Sequence, residues 1–233
     1  MSVPRFYERA EAVPHEGAFA VALDGKPARS PGRAVLAAPR ALADAMAAEW
    51  EGQGETLDMA TMPLSRLHGR VLDADDAARA GWAETLVAYA GTDLLCYRGE
   101  EPGLAKRQAE AWEPYLDGAA ARLGARLAVT EGILAVAQPG EAISAIRALT
   151  GNMTSGTLAV LAALTEIGGS AILALAVEEG GDAEAAFEAS RVDERYQEER
   201  WGVDAEAAAR EANLRRDWLA AARYLALTRA DPA

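Results

Sequence analysis

The chain has 233 residues, of which 51% are hydrophobic and 25% charged, so it can bury a core in one large domain or two small ones. Its formal net charge of −13 disfavours binding to nucleic-acid phosphates and anionic membrane surfaces, and suits a partner that presents basic residues. The single cysteine excludes an internal disulfide, and no apolar signal core opens the chain. A bacterial cytoplasmic location is therefore expected, or the mitochondrial matrix for an organellar protein whose presequence has been removed.

The first 40 residues predict strands and tight turns. Phe19, Val21 and Leu23 alternate with alanines, as in a strand with one buried face. Asp24-Gly25 follows them and is typical of a two-residue hairpin turn. The pattern favours a small antiparallel sheet.

A helix is predicted to follow this sheet, with Pro39 at its start. Leu42, Met46 and Trp50 recur every four residues, which is the spacing of an apolar stripe on one helix face. We therefore expect a small N-terminal domain, residues 1–72, that contains the sheet.

From residue 73 onward the pattern becomes helical. Residues 103–123 predict a helix that Pro114 bends, and Asp204 is placed to cap the last helix. The expected architecture is α+β: the N-terminal sheet domain plus a larger, all-helical C-terminal domain, residues 73–233.

One apolar stretch, residues 156–177, approaches the length of a membrane span. Glu166 and the pair Gly168-Gly169 interrupt it, and alanine is its main apolar residue. A buried helical hairpin is therefore favoured, and no membrane insertion is expected.

Residues 126–138 interrupt the helical pattern. Apolar residues on both sides of Glu131-Gly132 predict one or two short strands; they are Leu127, Val129, Ile133, Leu134 and Val136. This segment is a candidate to return to the N-terminal sheet, which would interleave the two domains.

Cys96 has two interpretations, as a catalytic nucleophile or as a small core residue. A catalytic thiol needs a base or a positive neighbour to ionise it, and the two histidines, His15 and His68, lie in no known cysteine-enzyme context. Flanked by Leu95 and Tyr97, Cys96 resembles a small core residue. A small cysteine-dependent hydrolase or transferase remains the alternative function.

Metal and cofactor sites find no support in the residue pattern. Asp73, Asp75 and Asp76 lack the spacing and the terminal glutamate of a calcium loop, and a helix start explains them better. Two distant histidines do not suggest zinc, and no glycine-rich loop has phosphate-binding spacing. No cofactor, metal or small-molecule substrate is expected.

The charged run Arg191–Asp204 has two interpretations. Its charges suit a solvated helix face, with Tyr196 and Trp201 anchoring the other side. Alternatively, the aromatic residue at the helix end, the glycine after it and the acids Asp204 and Glu206 form a recognition edge, since aromatic anchors beside charges are typical of interface hot spots.

Ordered segments along nearly the whole chain resemble one protein family, the assembly chaperones of the F-type ATP synthase that attend its alpha subunit. The segments are Arg5-Phe6-Tyr7, residues 21–27, Ala48-Glu49-Trp50, residues 61–67, Thr92–Arg98, Gln108 with Trp112 and Pro114, Glu131-Gly132-Ile133, residues 170–176, Asp193-Glu194 with Gln197, and Trp201-Gly202. Gly69 and Arg70 depart from the family pattern, which tends to continue with Asn and Thr.

The resemblance implies a two-domain chaperone without catalysis or cofactor, which binds the unassembled alpha subunit and prevents its aggregation until the beta subunit replaces it. Mitochondrial relatives share an acid four residues past the tryptophan, where this chain has Ala205 between Asp204 and Glu206; we favour Glu206 for that role. The candidate partner-binding residues are Glu206, Asp204, Trp201, Tyr196, Asp93 and Arg98. A scaffold for some other basic partner is a third hypothesis.

Overall fold

The computed structural model describes residues 3–132 and 134–229, which divide into two compact units. Unit 1 contains the described residues up to Asp76 together with residues 223–229, and unit 2 contains residues 77–222.

Unit 1 contains the antiparallel sheet that the sequence predicts. Its strands are β1 (Val3–Pro4), β2 (Ala10–His15), β3 (Ala18–Leu23), β4 (Lys26–Pro27), β5 (Ala37–Ala38) and β6 (Thr56–Leu57). β2 pairs with β3 so that Ala10 lies opposite Leu23, while β4 and β5 pair with the two ends of β3. β1 and β6 form a separate antiparallel pair.

The hairpin turn after β3 is confirmed. Asp24 and Gly25 both have positive φ values, 48° and 77°, as a two-residue turn between twisted strands requires. The Asp24 carboxylate also accepts hydrogen bonds from the backbone N–H groups of Glu8 and Arg9. The turn therefore also holds the chain that leads into β2.

Two helices complete the first part of unit 1: α1 (Arg40–Glu51) and α2 (Pro63–Leu72). α1 packs on β2 and β3 and buries the predicted stripe of Leu42, Met46 and Trp50. In β3, residues 20–23 are all buried and Phe19 is half-buried, so the strand is covered on both faces and not on one as its alternation suggested.

Unit 2 is mostly helical, which confirms the predicted α+β fold class. Its helices are α3 (Asp76–Gly91), α4 (Pro102–Leu123), α5 (Gly140–Gly151), α6 (Ser155–Gly168), α7 (Ala171–Glu178), α8 (Ala183–Ala189), α9 (Val192–Trp201) and α10 (Ala205–Arg229). The last turns of α10 belong to unit 1.

The apolar stretch 156–177 forms the predicted buried hairpin. α6 ends at Gly169, whose φ of 69° is left-handed, and the side chain of Ser170 then caps α7 by accepting a hydrogen bond from the Leu173 N–H. Most side chains of both helices are buried. No helix in the described part of the chain is long and apolar enough to cross a bilayer.

The division between the units differs from the expected boundary after residue 72, because the C-terminal turns of α10 contribute to unit 1. Tyr224 and Leu225 are each 3% exposed, and the Tyr224 hydroxyl lies 2.8 Å from His68 Nδ1. Periodicity alone predicted α10 but not which core its last turns join.

In residues 126–132 and 134–138, the described part of this segment, no strand pairs with the N-terminal sheet. Instead β8 (Thr130–Glu131) pairs in parallel with β7 (Tyr97–Arg98), and both strands belong to unit 2. The Gln138 side-chain amide exchanges two hydrogen bonds with the Ala128 backbone, which closes the segment into a loop. The C-terminal region is therefore not purely helical; Ile133 lies outside the described residues.

Candidate functional site

Large apolar side chains that are exposed form three groups among the described residues. They are Val3, Phe6 and Met59 in unit 1, Val129 and Leu134 in the loop 126–138, and Trp201 and Val203 between α9 and α10. Grouped apolar exposure is a mark of interaction surfaces, whereas isolated exposed residues are ordinary.

The group of Trp201 and Val203 belongs to the connection between α9 and α10. We call this connection, residues 201–206, the elbow; it combines apolar and acidic side chains. Trp201 is 75% exposed at the end of α9, and Val203 is 67% exposed. Gly202 between them has φ 85° and ψ 168°, a backbone conformation that is essentially restricted to glycine. The glycine therefore ends α9 in a conformation that leaves the apolar residues on both sides of it exposed.

Asp204 and Glu206 have different roles in the elbow. The Asp204 carboxylate accepts a hydrogen bond from the Glu206 N–H at 2.8 Å, so Asp204 is the N-cap of α10, as predicted. The Glu206 side chain is 86% exposed and makes an ion pair with Arg210 at 3.3 Å within the same helix. Its carboxylate is thus the more accessible of the two.

Tyr196 anchors α9 instead of lying on its surface. It is 7% exposed, and its hydroxyl donates to Glu101, which also pairs with Arg200. The guanidinium groups of Arg107 and Arg200 lie 5.1 and 4.4 Å from its ring centroid. Tyr196 connects α9 with the start of α4, and its burial favours this structural role over a direct partner contact.

Asp93 is a buried helix cap. It is fully buried and accepts hydrogen bonds from the N–H groups of Leu95 at 3.1 Å and Ile172 at 3.2 Å, so it contributes to the N-terminus of α7. Burial raises the pKa of this carboxyl to about 6, although the hydrogen bonds from Ser170 and the backbone act in the opposite direction.

Arg98 is likewise part of the interior of unit 2. It is 6% exposed, donates to the Leu95 carbonyl at 3.0 Å and pairs with Glu113 at 2.9 Å. Its guanidinium lies 4.8 Å from the ring centroid of Trp112. Burial leaves Asp93 and Arg98 no surface for a partner, so both predicted contacts are structural residues.

The environment of Cys96 opposes nucleophilic chemistry. The residue is fully buried, and burial together with the neighbouring Asp93 carboxylate raises the pKa of its thiol to about 12. A thiol with this pKa stays protonated at neutral pH, whereas a catalytic cysteine needs a lowered pKa.

The two histidines occur in unit 1, whereas Cys96 is in unit 2. The ring nitrogens of His68 lie 2.8 Å from the Tyr224 hydroxyl and 2.9 Å from the Ala37 carbonyl oxygen, and burial lowers the pKa of the ring. His68 is therefore a hydrogen-bonded residue of the unit 1 core.

The acids at the start of the helical region also have structural roles. Asp73 accepts hydrogen bonds from Ser30 Oγ and from the Gly32 N–H, and so fixes the turn before β5. Asp76 opens α3, as predicted. In residues 3–132 and 134–229, no cluster of three His, Cys, Asp or Glu residues could hold a metal ion.

Sequence analysis missed Val203 and the ion pairs around Arg195. Val203 could have been found from its position, because it is an apolar residue after a helix-breaking glycine in an otherwise charged run. Arg195 pairs with carboxylates on three helices, and no local pattern identifies such partners.

The family model described as ATP12 chaperone protein matches residues 4–120. The structure of Atp12 from Paracoccus denitrificans is 38% identical, with a TM-score of 0.88, and the match covers 97% of this chain and 98% of that chain.

A single-residue mutant of the Paracoccus protein gives the same identity and coverage, with a TM-score of 0.87. The Atu1473 protein of Agrobacterium tumefaciens is 40% identical with a TM-score of 0.88, covering 95% of this chain and 85% of that chain.

Proposed function

Because this chain belongs to the ATP12 chaperone family, a family that acts in ATP synthase assembly, we propose that it binds the unassembled alpha subunit of the F-type ATP synthase. In this role it prevents aggregation of the alpha subunit until the beta subunit replaces it. It acts in the compartment where the enzyme is assembled, the bacterial cytoplasm or the mitochondrial matrix.

The single observation that supports this proposal best is the exposed elbow between α9 and α10. Burying a large apolar side chain contributes about 1.5–3 kcal/mol, so Trp201 and Val203 can stabilise a complex by covering apolar surface on a partner. Tryptophan is also among the residues most often found at interface hot spots. Glu206, one turn away, adds charge that selects a basic neighbour.

The charge distribution supports a basic partner surface. Unit 2 contains 23 acidic and 13 basic residues, a net charge of −10, so most of the negative charge of the chain lies in the unit that carries the elbow. Opposite charges accelerate encounter and reject wrong partners more than they raise affinity. Complex formation should therefore become slower as ionic strength rises.

Release to the beta subunit sets an upper limit on affinity. A chaperone that yields its client by exchange must bind that surface more weakly than the final subunit does. A small apolar elbow with an exposed acid fits this requirement better than an extensive apolar groove, because tight interfaces bury larger and better packed surfaces.

The alternative enzyme function has less support. A hydrolase or transferase using Cys96 would need an accessible, ionisable thiol, and burial keeps this one protonated. A scaffold for another basic partner would share the acidic surface and differs from the proposal only in what it binds.

Complex formation tests the proposal directly. The purified chain should comigrate with isolated alpha subunit in size-exclusion chromatography without added nucleotide, and isolated beta subunit should displace it. Identification of the proteins that copurify with the chain from its own cells separates the alpha subunit from other basic partners. Failure to bind alpha subunit, with capture of a different protein, would favour the scaffold hypothesis.

A further inference from the structure

Arg195 in α9 connects three helices of unit 2. Its guanidinium pairs with Glu188 in α8 at 3.2 Å, with Glu198 in its own helix at 3.1 Å and with Glu211 in α10 at 2.5 and 3.0 Å. The side chains of Arg195, Glu198 and Glu211 are 35%, 25% and 19% exposed. Partial burial reduces solvent screening, so these pairs are stronger than fully exposed ones.

Among the described residues of α10, counted from the elbow, Glu211 is the first whose side chain bonds another helix. Every residue from Trp201 to Arg210 is exposed. Farther along α10, Arg215 pairs with Glu184, and the buried Trp218 donates to the Ala183 carbonyl at 2.8 Å. At 1.5 Å of rise per residue, the six residue steps from Ala205 to Glu211 place the start of α10 about 9 Å beyond Glu211.

Apolar packing does not fill the space between α9 and α10. A groove of about 660 Å³ lies there, and its lining includes Val203, Ala208, Arg195 and Glu211. Gly202 makes no packing contact that would hold the angle, because even a Cβ at this position would meet nothing within 4 Å. Arg215 and Trp218 hold α10 farther along, so the ion pair of Arg195 with Glu211 is the described interhelical contact of α10 closest to the elbow.

We propose that Arg195 is a positioning residue that holds α10 at a fixed angle to α9, so that Trp201, Val203 and Glu206 meet the partner as one surface. This inference rests on the proposed function of the elbow. Without the ion pairs of Arg195, the angle between α9 and α10 varies, and only molecules with a suitable angle bind the partner. The apparent affinity is then reduced in proportion to the fraction of such molecules.

The first test compares Arg195→Gln and Glu211→Gln with Arg107→Gln. Arg107 also joins α9 to another helix by pairing with a glutamate, Glu199 at 2.7 Å, but that helix is α4 and not α10. We expect each of the first two variants to need about 5- to 30-fold more protein to halve alpha-subunit light scattering. Arg107→Gln should behave like the wild type.

A distance measurement reads the position of α10 without a partner. Spin labels on the double variant Lys106→Cys and Ala209→Cys report the separation of α4 and α10, and both sites are exposed. Cys96 is buried and should stay unlabelled. Arg195→Gln should broaden the distance distribution, whereas Arg107→Gln should leave it narrow.

The double variant Arg195→Met with Glu211→Met separates positioning from direct contact, because an apolar pair can replace an ion pair in holding two helices. If the double methionine variant has a narrow distance distribution and regains activity, the positioning role is supported. If its distribution is narrow but its activity is low, the positioning role is overturned in favour of direct charge contact with the partner. A distance distribution of Arg195→Gln that matches the wild type also overturns the positioning role. Absence of binding by the wild type would instead refute the proposed function.

Discussion

The carboxylate of Glu49, near the end of α1, caps the next helix at Ser65. Glu49 Oε2 accepts hydrogen bonds from Ser65 N at 2.8 Å and from Ser65 Oγ at 2.7 Å, and Oε1 accepts from Leu64 N at 2.7 Å. α2 has no side-chain cap of its own, so a residue 16 positions earlier satisfies its first N–H groups.

Replacement of Glu49 by alanine should therefore destabilise the protein. The buried N–H groups lose their acceptor, and we expect the free energy of unfolding to fall by about 2 kcal/mol in urea titrations. Glu55→Ala, at an exposed position in the same unit, is the control and should change stability little. Equal stability of the two variants would show that the cap contributes nothing.

Asp93 should make stability depend on pH in a direction opposite to that of a paired carboxylate. Its pKa is about 6 in the folded protein and 3.8 ordinarily, so the folded state holds the proton more tightly and loses stability as pH rises through this window. Relative to Asp93→Asn, the wild type should lose about 2 kcal/mol of unfolding free energy between pH 4 and pH 7. A constant difference between the two proteins across that range would contradict the raised pKa.

Cys96 should be inert in the folded protein. Burial raises the pKa of its thiol from an ordinary 9.0 to about 12, so the thiolate fraction at neutral pH is about 1,000-fold lower than for a free thiol. Alkylation should be slow until denaturant is added, and Cys96→Ser should retain chaperone activity. Rapid labelling of the native protein, or product formation that the serine variant abolishes, would revive the enzyme hypothesis.

Gly202 should matter more for the shape of the elbow than for the overall stability of the protein. Alanine at φ 85° and ψ 168° is strained by about 1–3 kcal/mol, and this strain can be relieved by moving the exposed elbow. We expect Gly202→Ala to weaken suppression of alpha-subunit aggregation while its urea midpoint stays close to that of the wild type. Gly140→Ala, at a glycine without positive φ, is the control.

Local features of the fold could be predicted from sequence because each depends on neighbouring residues. The Asp24-Gly25 turn, the stripe on α1 and the break at Gly168-Gly169 are of this kind. The helix end at Trp201-Gly202 could also be predicted, because the glycine that ends α9 directly follows the tryptophan.

The interpretation of Asp93 and Arg98 as partner contacts loses support because both side chains are buried and bond residues elsewhere in the chain. Asp93 bonds Ile172, and Arg98 pairs with Glu113, so neither charge has to face solvent. An ionisable residue among apolar neighbours signals either a site or a satisfied interior group. Only the three-dimensional partners distinguish the two cases.

The central claim is that the elbow binds the alpha subunit, and aggregation of isolated alpha subunit tests it most directly. Light scattering is followed with equimolar wild type, Trp201→Ala, Glu206→Lys and Glu141→Lys. Glu141→Lys is the control, because it reverses the charge of an acidic residue in the first turn of α5, as Glu206→Lys does in the first turn of α10.

We predict that the wild type and Glu141→Lys suppress scattering, and that Trp201→Ala and Glu206→Lys need at least about tenfold more protein for the same effect. The fold should be unchanged in all four, because both elbow side chains are exposed. Equal suppression by all four proteins, or none by the wild type, would contradict the claim.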